Sequence, residues 1–369
     1  MFQERRKAMV VFGTRPEAIK MAPVIKAFEN NIDFDLITCV TGQHRQMLDQ
    51  VLSIFDIQPD IDLDLMEPNQ TLPSLTAKSI RKVSEVLEQH SPDIVLVQGD
   101  TTTAMVSGLA GFYNKIPVGH VEAGLRTDER YDPFPEEINR RLLSTLTSYH
   151  FAPTPKAVEN LLSEGFNKSD IYMTGNTVID ALLTTAEKAE VPAFCKKLKL
   201  DKYILVTAHR RENFGQRILN ICEGLKLIAN QNKYLKIVYP VHFNPNINEP
   251  VKRILSGVEN IHLIDPIEYK DFVFMMKHAH LILTDSGGVQ EEAPSFGKPV
   301  LVMRETTERP EAVEAGVARL VGTNPENVSC EVQKLLDNRA MYREMAQAAN
   351  PFGDGTASGQ ILKIISERI

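Results

Sequence analysis

The order of apolar and helical segments predicts an α/β protein of two Rossmann-like domains facing a cleft. Three observations carry that reading. Short apolar runs alternate with stretches of helical spacing from one end of the chain to the other. The runs are nearly continuous rather than alternating apolar with polar, as expected for parallel strands covered on both faces. At 369 residues the chain exceeds one ordinary α/β core, so two domains are expected.

The first series of strand candidates comprises residues 9–12, 36–40, 94–98, 118–121 and 150–152. The second comprises 204–207, 237–241, 261–264, 281–284 and 300–303. Between them lie helical patterns such as 43–55, 74–89 and 220–230. One series ends near Tyr172 and the other starts near Tyr203, and 191–202, with Pro192 and several lysines, reads as irregular surface between them. A last helix over 356–368 follows the breaker Pro351-Phe352-Gly353-Asp354-Gly355.

Composition narrows the function. A 43% apolar and 24% charged chain is globular, and a net charge of -7 without a basic stripe argues against nucleic acid. Nothing approaches the roughly 18 apolar residues of a membrane span. The apolar run after Glu4-Arg5-Arg6-Lys7 is short for a signal peptide, so a cytoplasmic protein is expected. Cys39, Cys195, Cys222 and Cys330 are far apart, which favours buried thiols over disulfides or a metal site.

Ligands of open parallel sheets bind beyond the carboxyl ends of the strands, and polar residues gather there. Gly13 permits a tight turn, Pro16 suits the first helical position, and Arg15 and Lys20 bring charge near that helix start, where an anion is favoured. An exposed basic pair is the alternative. Gly-x-Gly-x-x-Gly is missing, which disfavours a nicotinamide site. Asp100 is either a functional carboxylate or a helix cap. Glu122 lies in an apolar run, where a charge needs a functional or ion-pair partner. Glu136 opens a helix four residues before Arg140, so a simple ion pair would also explain it.

In the second series, Asp285-Ser286-Gly287-Gly288 precedes a helix expected near Val289, and small residues there let backbone N–H groups approach a phosphate. Glu291 and Glu292 could meet ribose hydroxyls or merely complement the helix dipole. His209 ends its strand beside Arg210 and Arg211. A histidine with several carboxylates at strand ends is an acid/base set, although one histidine alone is more often structural.

Together these segments resemble the non-hydrolysing bacterial UDP-N-acetylglucosamine 2-epimerases. The likeness runs through Phe12-Gly13-Thr14-Arg15-Pro16-Glu17, Gln98-Gly99-Asp100-Thr101-Thr102-Thr103 and Gly119-His120-Val121-Glu122-Ala123-Gly124-Leu125-Arg126-Thr127. It continues in Phe134-Pro135-Glu136-Glu137-Ile138-Asn139-Arg140, Thr207-Ala208-His209-Arg210-Arg211-Glu212-Asn213 and Thr284-Asp285-Ser286-Gly287-Gly288-Val289-Gln290-Glu291-Glu292-Ala293-Pro294.

The resemblance implies a glycosyltransferase-B-like fold, with residues 1–172 and 353–369 in one domain and 173–352 in a UDP-binding domain. It implies interconversion of UDP-N-acetylglucosamine and UDP-N-acetylmannosamine by UDP elimination to 2-acetamidoglucal and re-addition, with neither metal nor redox cofactor. Asp100, Glu122, Glu136 and His209 match the family's catalytic group. Arg15, Lys20, Arg140, Phe272, Ser286, Gly287, Gly288 and Glu292 match its substrate contacts. Gln43, Gln46, Gln70, Arg210 and His242 match positions of an activating second site for UDP-N-acetylglucosamine, where Asn69 stands in place of an arginine. A homodimer is the family expectation. Readings kept beside it are a 2-epimerase of a UDP-2,3-diacetamido sugar, a glycosyltransferase of the same fold, and a nucleotide-sugar sensor.

Overall fold

The computed structural model describes residues 5–42, 45–67 and 69–369. The chain divides into two compact units, one formed by Met1–Leu183 with Phe352–Ile369 and the other by Thr184–Pro351.

The first unit holds a parallel sheet of β1 (Arg6–Phe12), β2 (Phe34–Val40), β3 (Ile61–Asp62), β4 (Ile94–Gln98), β5 (Val118–Val121), β6 (Tyr149–Ala152) and β7 (Ile171–Met173). Its order is β3-β2-β1-β4-β5-β6-β7. The chain winds outward from β1 to β3, then returns to lay β4 beside β1 with Met9 opposite Val95. That reversal opens a crevice past the ends of β1 and β4. Met9, Val11, Val95, Val97, Val118 and Leu143 fill the core beneath it.

The second unit repeats the plan with β8 (Tyr203–Thr207), β9 (Lys236–Pro240), β10 (Ile261–Ile264), β11 (Leu281–Thr284), β12 (Val300–Val302) and β13 (Ala318–Leu320), in the order β10-β9-β8-β11-β12-β13. Its reversal falls between β8 and β11, where Thr207 faces Thr284 in register. Their hydroxyls lie 2.6 Å apart, buried under that crevice. Ile204, Val206, Leu225, Ile237, Leu281 and Leu301 form the core.

All ten expected strands are present. The three unforeseen ones, β3, β7 and β13, are two or three residues long and too brief to show a period. Residues 191–202 are less irregular than expected, because Ala193–Leu198 is helical. Residues 173–183, assigned from the sequence to the second domain, belong to the first unit. Asp180 fastens them there by accepting from the Ser358 amide (2.8 Å) and hydroxyl (2.6 Å), while the Asn176 amide donates to the Phe352 carbonyl (2.7 Å). The C-terminal helix Ala357–Arg368 also packs on the first unit, burying Ile361 and Ile365 and accepting from Arg6 at the Ser366 carbonyl (2.9 Å). Among the described residues no helix is long and apolar enough to cross a membrane. Cys39, Cys195 and Cys222 are buried thiols, whereas Cys330 is exposed.

Candidate active site

The turn after β1 is shaped by close approach. A Cβ on Gly13 would lie 2.1 Å from the Thr41 hydroxyl, so only glycine fits. Thr14 then caps helix Arg15–Glu29 in a reciprocal capping box with Glu17. Arg15 is thus the first helical residue and Pro16 the second, one position later than expected. Glu17 is buried, and its carboxylate accepts from the Thr14 amide (2.8 Å), the Thr14 hydroxyl (2.7 Å) and the Thr101 hydroxyl (2.7 Å). It therefore ties the turn after β1 to the turn after β4. Burial pushes its carboxyl up, against those hydrogen bonds.

Asp100 follows Gly99, which takes the left-handed φ of 72° that the turn requires. Thr101, not Asp100, caps helix Thr102–Tyr113, accepting from the Ala104 amide at 3.0 Å. Asp100 is free for other work and pairs with Arg140. Burial drives its carboxyl above the ordinary aspartate range; Arg140 opposes this and Glu122 adds to it.

Glu122 follows β5 with φ 66°, a conformation that costs a non-glycine residue about 1–3 kcal/mol. Its buried carboxylate receives Lys20 Nζ at 2.5 Å, Asn176 Nδ2 at 3.0 Å and a donor from Gln98. Removing one partner of such a buried pair costs roughly 3–5 kcal/mol. Two residues earlier, His120 sits fully buried in β5, with Nε2 donating to the Gly99 carbonyl at 2.7 Å. Burial pushes this imidazole down to about 3, so it stays neutral while holding the Asp100 turn.

Glu136 is the first residue of helix Glu136–Leu146 and is half-buried. Its expected i,i+4 partner is engaged elsewhere, since Arg140 binds Asp100 and, at 3.2 Å, Glu137. Glu137, passed over in the sequence, is fully buried and also accepts from the Thr127 amide (3.1 Å) and from Arg141 (2.8 Å). The first unit thus brings Lys20, Asp100, Glu122 and Arg140 into one linked group. Arg15 starts its helix half-buried, without an ion pair among the described residues.

In the second unit His209 leaves β8 with its side chain 43% exposed. Its ring stacks on His242, centroids 6.0 Å apart. Burial of the ring, with Arg210 and His242 nearby, lowers its pKa, and Asp285 opposes that. Arg210 donates to Glu308 at 2.7 Å, and Glu308 is shared with Arg304. The helix after Ser286 spans Gly287–Glu292, starting two residues before the expected Val289, because Gly287 and Gly288 are themselves helical. A Cβ on Gly287 would sit 2.9 Å from Glu308 Oε1, so this turn admits close approach of an acidic group. Glu291 is paired with Arg309, while Glu292 accepts from the Tyr269 hydroxyl at 3.4 Å. Phe272 is half-buried on helix Tyr269–His278.

Gln70 hydrogen-bonds locally to the Leu65 carbonyl at 3.2 Å, and Asn69 beside it has φ 58°. Gln43 and the side chain of Gln46 lie outside the described residues. Sequence reasoning missed Gln98 and Asn176, whose shared partner Glu122 is 24 and 54 positions away, and Glu137, which pairs with Arg140 and Arg141 on its own helix. The local signals were a polar residue within an apolar run at Gln98 and the i,i+3 and i,i+4 arginines after Glu137.

Two doubly wound parallel sheets, each with acid/base and cationic side chains past its reversal point, define an α/β enzyme of the glycosyltransferase-B-like class. The family model described as UDP-N-acetylglucosamine 2-epimerase matches residues 26–366. A Campylobacter jejuni UDP-N-acetylglucosamine 2-epimerase is 54% identical, over 98% of this chain and 97% of its own. A Listeria monocytogenes structure described as such an epimerase superposes with TM-score 0.94 at 49% identity, covering 99% of this chain and 96% of that one. The Neisseria meningitidis epimerase bound to UDP-GlcNAc gives 0.87 at 49% identity, covering 98% of this chain and 100% of that one. The chain belongs to the UDP-N-acetylglucosamine 2-epimerase family.

Proposed function

We propose that the chain interconverts UDP-N-acetylglucosamine and UDP-N-acetylmannosamine by elimination and re-addition of UDP. The observation that carries this reading is the paired setting of Asp100 and Glu122, two carboxyl groups at adjacent strand ends, each with its own cation. The C2 hydrogen of the sugar is not beside a carbonyl, so enolisation cannot invert it. One carboxylate takes the C2 proton as the C1–O bond breaks, and that electron pair leaves with UDP. The product of this half-reaction is 2-acetamidoglucal. A second carboxyl group then gives a proton to the opposite face of C2 as a UDP oxygen re-forms the bond to C1.

Desolvation raises the Asp100 carboxyl above the ordinary aspartate range, so it binds a proton more readily than a solvated aspartate. Glu136 is the third member of this acid/base group. His209 stabilises charge on the departing UDP. Ser286, Gly287 and Gly288 supply phosphate donors, Glu292 the ribose acceptor and Phe272 the surface for uracil, while Arg15, Lys20 and Arg140 supply positive charge. Purified protein incubated with UDP-N-acetylglucosamine alone should give UDP-N-acetylmannosamine by NMR of the sugar. Turnover only with a 2,3-diacetamido substrate, or only with an added acceptor, would replace this reading.

We also propose a homodimer activated by UDP-N-acetylglucosamine at a second site that uses Gln43, Gln46, Gln70, Arg210 and His242. Asn69 keeps hydrogen bonding but lacks the charge and bidentate reach of an arginine. Effector affinity is therefore reduced. In the reverse reaction, added UDP-N-acetylglucosamine should abolish a lag, and Asn69→Arg should tighten activation about ten- to a hundredfold. A reverse reaction that starts at full rate without effector sinks the regulatory reading.

A further inference from the structure

Asp285 directly follows β11, is fully buried, and uses its two carboxylate oxygens differently. Oδ2 accepts three hydrogen bonds, from the His209 amide (2.9 Å), the Arg210 amide (2.8 Å) and Asn213 Nδ2 (2.9 Å). Oδ1 meets no donor. It lies 3.7 Å from Nδ1 of His209. A buried carboxylate oxygen without a partner is uncommon and calls for a reason.

The surroundings limit how the gap can close. Asp285 cannot shift toward the ring without giving up the two backbone amides that shape the turn after β8. The Tyr239 hydroxyl pins that same turn at the Ala208 carbonyl (2.7 Å). The imidazole is the mobile partner, because its side chain is 43% exposed. A small rotation about its side-chain torsions would bring Nδ1 into hydrogen-bond range.

We propose that Asp285 is the positioning residue of His209: Oδ1 takes the Nδ1 proton, which fixes the tautomer and leaves Nε2 as the atom that meets the substrate. A carboxylate can only accept here, so the neutral ring carries its proton on Nδ1. The same contact favours the imidazolium when Nε2 takes a proton. The charged and titratable groups around the ring are Asp285, Arg210 from its own turn and His242 from the turn after β9. Of these only Asp285 favours the cation. The inference rests on the role given to His209 in the proposed reaction.

Nitrogen-15 NMR of imidazole-labelled, ligand-free enzyme tests it, with the His209 signals identified by their loss in His209→Asn. The wild type should show the Nδ1–H tautomer at high pH. In Asp285→Asn the amide oxygen must serve the two backbone donors, which turns the NH₂ group toward Nδ1. The ring should then switch to Nε2–H and titrate at lower pH. Turnover should drop about 100-fold or more with KM little changed. An Nε2–H tautomer in the wild type overturns the proposal whatever the turnover, and needs no variant to fold. Unchanged kcat and tautomer in a folded Asp285→Asn overturn it as well. Full activity in His209→Asn would instead break the underlying reaction scheme.

Discussion

The reversal points of the two sheets are built alike and loaded differently. Past β4 and β5 the first unit sets two carboxylates against cations: Arg140 for Asp100, Lys20 for Glu122. Directly after β11 the second unit buries Asp285 and gives it backbone amides instead of a cation. Ion pairs keep charge in place and separate the proton affinities of neighbouring carboxyl groups. Amide donors shape a turn and leave one oxygen available to a histidine. In the proposed reaction one topology thus supplies both proton-transfer groups and a stabiliser of departing charge.

The sharpest way to break that contrast is to neutralise its members one at a time. Asp100→Asn, Glu122→Gln, Glu136→Gln and His209→Asn should each lower kcat about 100-fold or more, as for loss of a positioned acid or base. Near-normal turnover in any two would undo the site assignment. Of the four, Glu122→Gln should also lower stability, because it leaves Lys20 without its buried partner.

A smaller effect separates the scaffold from the chemistry. His120 is buried neutral with its pKa at about 3, far below the usual 6.5. Between those values the unfolded chain binds a proton that the folded one refuses, so stability rises with pH across the window. The contribution is complete above about pH 6.5 and is lost as pH falls toward 3, at up to about 1.4 kcal/mol per pH unit. Urea unfolding of His120→Gln at pH 7 and pH 5 should show a weaker pH dependence than wild type. An equal slope in both would mean that this histidine does not set the acid limit.

Much of this was legible in the chain. Continuous apolar runs located the ten expected strands, because parallel strands buried on both faces leave no polar alternation to confuse. Gly13, Asp100, Glu122 and His209 were visible because turns after buried strands concentrate polar residues in short segments. What stayed hidden was pairing. Arg140 has a carboxylate four residues before it at Glu136, yet it binds Glu137 and the distant Asp100. Asn176 reaches Glu122 across 54 positions, and Asp180 reaches the C-terminal helix across 178. Local spacing shows helix neighbours but cannot show which turns a sheet reversal brings together.

In the proposed reaction a carboxylate removes the C2 proton and another carboxyl group returns one to the opposite face. Turnover of UDP-N-acetylglucosamine in heavy water, followed by NMR of the product, tests it most directly. Deuterium should replace hydrogen at C2 of UDP-N-acetylmannosamine as it forms. Product that retains its original C2 hydrogen throughout would contradict transfer between two faces by separate carboxyl groups.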